Sequence, residues 1–144
     1  MLEIRVGRNG ESFYGMVVSQ SEDTAFTFFC TKENQVVHPK EHSIADAGSN
    51  YQRRVLDDQT RGYQEVLALD LHPNSSFAAS QWPLSVWADM IASHLISVGN
   101  PGDAGQQTEI WLRGFGQIIY HHPDASLEAC IEALANIRGP DWAF

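Results

Sequence analysis

Positive charge is scarce in this chain: 9 Lys and Arg stand against 18 Asp and Glu in 144 residues, a formal net charge of −9. Nothing gathers the basic residues into a stripe; only Arg53-Arg54 are adjacent. A polyanion is repelled by such a balance, so nucleic acid and anionic membrane surfaces are disfavoured as partners. A basic protein partner is the class that the balance leaves open.

Cysteine is nearly absent. Cys30 and Cys130 are the only two, too few for a structural zinc site without other ligands. Each falls on an apolar face in the reading below, so both are read as buried thiols rather than a disulfide. Long hydrophobic runs are missing too: no window approaches the 18 or so apolar residues of a membrane span. The opening Met1-Leu2-Glu3-Ile4-Arg5-Val6 has no apolar core of a secretory signal. A cytoplasmic location is the default expectation. Short catalytic signatures are lacking as well. There is no G-x-S-x-G elbow, Gly114-Phe115-Gly116 lacks the third glycine of a dinucleotide fingerprint, and Asn100–Gly105 lacks the lysine of a P-loop.

Apolar residues, by contrast, are plentiful. Seven Phe, four Tyr and four Trp within a 43% hydrophobic composition exclude a disordered chain and supply the core of one domain, residues 1–144. Leu2, Ile4 and Val6 alternate with Glu3 and Arg5, the period of a half-buried strand. Gly7–Gly10 reads as a turn. In Ser12–Ser19, Phe13 and Val17 oppose Tyr14, Met16 and Val18, which predicts a central strand. Ala25–Thr31 sets Phe26, Phe28 and Cys30 against Thr27, Phe29 and Thr31, completing an antiparallel meander. A short helix from Pro39 to about Gly48 is expected next, then strands at Tyr51–Asp57 and Tyr63–Leu71.

Two main helices follow in this reading. The first spans about 83–98, with Leu84, Trp87, Ala88, Ile91, Leu95 and Val98 at three–four spacing. The second spans about 125–138, capped by Asp124 or Ser126, with Leu127, Cys130, Ile131, Leu134 and Ile137 as its buried stripe. Strands are expected between them at Thr108–Arg113 and Gln117–His121. Runs of strands with late helices make an α+β protein: a mostly antiparallel sheet with both helices packed on one face.

The string His38-Pro39-Lys40-Glu41-His42 matches the H-x-x-E-H pattern of inverted zinc proteases, in which a helix sets two imidazoles on one face. Pro39 pushes His38 out of such a helix, so a polar surface loop is the reading adopted and no metal or other cofactor is expected. His121 and His122 point to opposite sides of a strand and so do not share a metal. His94 reads as a satisfied half-buried side chain, and His72 as a turn residue. Glu65 shares a predicted strand face with Tyr63, Leu67, Leu69 and Leu71. The reading adopted is a strand-end glutamate reaching solvent; the alternatives are a partner of Arg53 or Arg54 if that face is interior, or a general base at a pocket mouth. The terminal Trp142-Ala143-Phe144 either tucks onto the core or forms an aromatic patch.

Acidic spacing is the remaining signal. Asp124, Glu128 and Glu132 recur every four residues along the outer edge of the last predicted helix, and Asp57-Asp58 adds a second acidic spot. Like charges at that spacing destabilise a helix by a few tenths of a kcal/mol per pair. The bland reading is a solvated face; the functional one is a surface that docks a basic protein. These features favour a protein-binding module that occludes its partner, in the manner of the small acidic inhibitors or immunity proteins that bacteria set against toxins. The alternative is a small hydrolase or transferase in which His and Glu side chains converge in a pocket.

Overall fold

A computed structural model describes residues 2–31, 33, 39–57, 62–71, 83–98, 101–121, 126, 128–129 and 132. Alternation sets the first three strands as expected. β1 (Leu2–Asn9), β2 (Ser12–Ser19) and β3 (Thr24–Thr31) form the antiparallel meander. β4 (Lys40–His42) pairs with β3, and β5 (Gln64–Leu71) pairs with β1. The sheet order is β4-β3-β2-β1-β5, all neighbours antiparallel, so the strand read as central from its two apolar faces is central.

The first turn falls later than the sequence reading places it. β1 runs on through Gly7 to Asn9, which pairs with Ser12 across Gly10-Glu11. Gly7 is a packing glycine within the strand: a Cβ there would stand 2.7 Å from both methyls of Val55. Its missing side chain lets the segment above settle onto the sheet.

The two main helices pack on one face of the sheet, and a shorter helical segment packs on the other. On one side Ile4, Val6, Phe13, Val17, Phe28, Leu67 and Leu69 meet two long helices. α2 (Leu84–Ser97) matches the expected helix and buries Leu84, Trp87, Ala88, Ile91 and Leu95 at the spacing read from sequence. α3 (Ala104–His121) lies where two strands and a Gly114-Phe115-Gly116 bend are expected, and is a single 18-residue helix entered through a 3₁₀ turn at Pro101–Asp103. β-branched and aromatic residues suggest strand there, but Ala104, Thr108 and Leu112 are each fully buried at a spacing of four. Burial of that helical stripe overrides local propensity. α2 and α3 are thus the two main helices that pack against the sheet.

On the opposite face Tyr14, Met16, Val18 and Ala25 meet α1 (Ile44–Tyr51) and a π-helical turn at Gln52–Asp57. The strand expected at Tyr51–Asp57 is therefore helical. Ala47, Tyr51 and Val55 recur every four residues and all are buried, so a period of four outweighs the apparent alternation of a short run. Nor does α1 begin at Pro39. Ser43 caps it, its Oγ accepting from the Asp46 amide at 3.1 Å, and Pro39 precedes the edge strand β4 instead.

Of the helix expected at 125–138, Glu128, Ala129 and Glu132 are helical, and Ser126 Oγ accepts from the Ala129 amide at 3.1 Å, the predicted cap. Its stripe of Leu127, Cys130, Ile131, Leu134 and Ile137 lies outside the described residues, as does Trp142–Phe144. Among the described residues no helix is long and apolar enough to cross a membrane.

Candidate functional site

α1 packs chiefly on β2, β3 and β4, and the π turn beyond it reaches β5, covering only part of the β1–β5 end of that sheet face. Strand parity decides what stands there. With Leu2, Ile4 and Val6 turned to the α2–α3 side, Glu3 and Arg5 face the other way, opposite Asp70 and Ala68 of β5. Ala68 is exposed, so no described layer lies over it.

Arg5 Nε donates to Glu3 Oε2 at 3.0 Å, and Arg5 Nη2 lies 3.7 Å from Asp70 Oδ1. Burial pulls the Arg5 pKa down, but the Glu3 hydrogen bond and the charges of Glu3, Asp70 and Glu65 outweigh it, leaving the guanidinium above its ordinary value. These pairs are partly exposed, so each contributes no more than about 1 kcal/mol of stability.

Glu65 reaches this face through a β-bulge. β5 carries one extra residue, Val66, between the pairs Val6–Leu67 and Gly7–Glu65. An inserted residue reverses strand parity. Glu65 therefore does not share a face with Leu67 and Leu69: it points to the α1 side while they enter the α2–α3 core. Its partner is neither Arg53 nor Arg54. Tyr51 Oη donates to Glu65 Oε2 at 2.7 Å, whereas Arg53 bonds Asn50 and Arg54 lies over the Tyr14 ring at 4.5 Å. Burial, and secondarily the carboxylate, push the Tyr51 phenol well above its usual range, so it is a fixed donor. The result is three carboxylates, Glu3, Glu65 and Asp70, around one guanidinium, Arg5.

Tyr51→Phe removes a hydrogen bond to a carboxylate and should lower the unfolding free energy by about 1–2 kcal/mol. Glu65→Ala leaves the buried phenol without its acceptor and should cost about as much. Because both changes break one contact, urea denaturation of the double variant should fall well short of their sum; strict additivity would mean that the contact contributes nothing.

The acids read from sequence divide as follows. Asp57 is exposed at the end of the π turn, where Gln52 Nε2 donates to its Oδ1 at 3.2 Å. It lies on the same side of the sheet as Glu65, since Val55 seats on Gly7, the cross-strand partner of Glu65. A shallow surface cavity of about 630 Å³ runs along the outside of this segment, lined in part by Ile44, Gly48, Arg53 and Asp57. Glu128 and Glu132 are exposed and helical, four residues apart. Asp58 and Asp124 lie outside the described residues. Glu3 and Asp70 were not singled out by sequence reasoning; the signal for Glu3 is its place among alternating apolar residues.

Among the described residues, His42 and His94 lie in different parts of the fold. Lys40–His42 is a strand, so the helical spacing of the zinc-protease pattern is not realised there, and His42 Nε2 is hydrogen-bonded to Thr27 Oγ1 at 3.0 Å. His38, His72 and His122 lie outside the described residues, and His121 ends a helix, not a strand. His94 is half-buried between α2 and α3. Its Nδ1 is hydrogen-bonded to Thr108 Oγ1 at 2.9 Å and its ring stacks on Trp111 at 4.5 Å. Burial lowers its pKa to about 4. It lies across the sheet from Glu65. Cys30 is buried and its thiol is pushed up to about 12 by burial, so it is protonated and poorly nucleophilic at neutral pH. Cys130 is outside the described residues. Among the described residues no three His, Cys, Asp or Glu side chains are placed to hold a metal ion.

No family model, curated protein or solved structure matches this chain.

Proposed function

We propose that this protein is an acidic binding module that recruits and occludes a basic protein partner. The supporting observation is the open sheet face on which Glu3, Glu65 and Asp70 surround the single guanidinium of Arg5. Tyr51, at the end of α1, holds one of the three carboxylates in place. On a chain of net charge −9, such a face adds local attraction to a long-range field that steers a cationic surface into contact.

In this reading Asp57 extends the face at the end of the π turn, and Asp58 follows it in the sequence. Glu128 and Glu132 offer a second acidic edge, with Asp124 four residues before them in the sequence. Affinity comes chiefly from apolar and aromatic contacts made after docking, while the carboxylates set the association rate and the choice of partner. A bacterial toxin with a cationic active-site cleft is the partner type this mode of action fits. The protein would then act as its inhibitor or immunity protein.

The test compares the wild type with Glu3→Gln/Asp70→Asn and, separately, Glu128→Gln/Glu132→Gln. Each is immobilised and exposed at low salt to a lysate of the encoding organism. The wild type should retain a stoichiometric protein of high isoelectric point. Neutralising the sheet-face pair should slow association roughly tenfold at low ionic strength, with much less change in dissociation. Retention of no basic protein, or equal rates for the wild type and both variants, contradicts the proposal. A loss confined to the Glu128/Glu132 variant moves the docking surface to the helix edge.

A further inference from the structure

We draw no further inference here: the strongest candidate, the half-buried His94–Thr108–Trp111 cluster between α2 and α3, rests as a switch on the lowered pKa of His94 alone, and nothing in the cluster points to a ligand.

Discussion

Replacing Gly105 by alanine should lower the unfolding free energy by about 2–3 kcal/mol, although the same change in an unobstructed helix is stabilising. A Cβ at Gly105 would overlap the carbonyl oxygen of Val66 and stand 2.8 Å from its carbonyl carbon and 2.9 Å from its Cβ. Val66 is the bulged residue of β5, so the obstacle is backbone whose position is fixed by two flanking strand pairs. No rotamer change relieves the clash. The first turn of α3 must lift from β5 or the bulge must shift, and either loosens the packing around Ala104 and Leu112.

Gly48 provides the control. It too is helical, and a Cβ there meets nothing within 4 Å. Gly48→Ala should therefore stabilise by about 0.5–1 kcal/mol, through reduced freedom of the unfolded chain. Thermal unfolding should move in opposite directions for the two variants, with the Gly105→Ala midpoint down by roughly 6–10 °C. Two shifts of the same sign would mean that α3 does not pack on the bulge as described.

Acid should weaken the fold through His94. Its folded pKa of about 4 lies below the ordinary 6.5 because burial disfavours the charged ring. Above pH 6.5 the ring is neutral in both states and pH has no leverage through it. Between pH 6.5 and 4 the unfolded chain takes up a proton that the folded protein refuses, so stability falls with falling pH. Below the folded pKa the loss levels off. A shift of this size sets an upper limit of about 3 kcal/mol, and partial exposure of the ring reduces the expected loss to about 2 kcal/mol.

His94→Gln removes the titration. At pH 7.5 it should destabilise by about 1–2 kcal/mol, for the lost Thr108 hydrogen bond and the Trp111 stack. Its deficit relative to the wild type should shrink or reverse by pH 4. Parallel stability curves for the two proteins over that interval would remove His94 from the account.

Much of this architecture is legible in the sequence where one period governs a segment. β1, β2 and β3 alternate cleanly, and the double apolar faces of β2 announce its central place. α2 shows its stripe without ambiguity. The second long helix is harder to read because Thr108, Ile110 and Trp111 favour strands, while Gly114 and Gly116 resemble a bend. The stripe that decides the matter runs through small residues, Ala104, Gly105 and Thr108, whose burial is set by the approach of β5. Tyr51–Asp57 fails differently: a run of seven residues is too short to separate alternation from a period of four, and the helical answer depends on Ala47 upstream and on Gly7 beneath.

The acidic face is legible only in part. Alternation puts Glu3 and Arg5 on the outer side of β1, but the meeting with Asp70 requires the β1–β5 register, a pairing of segments far apart in the sequence. Glu65 is misassigned by parity because one inserted residue reverses it. The adjacent apolar pair Val66-Leu67 hints at that insertion, yet no periodicity argument locates it. Asp57 and the pair Glu128/Glu132 are exposed as the spacing implies, since outward acids on amphipathic segments need no tertiary information.

The most direct measurement is the association rate of the wild type with its captured basic partner, followed as ionic strength rises from about 0.05 to 0.3 M, over which the screening length shrinks from roughly 14 to 6 Å. Steering by the carboxylate face predicts a fall of about tenfold, with a shallower slope for Glu3→Gln/Asp70→Asn. A rate that stays flat with salt, or identical slopes for the two proteins, would contradict the assignment of that face as the docking surface.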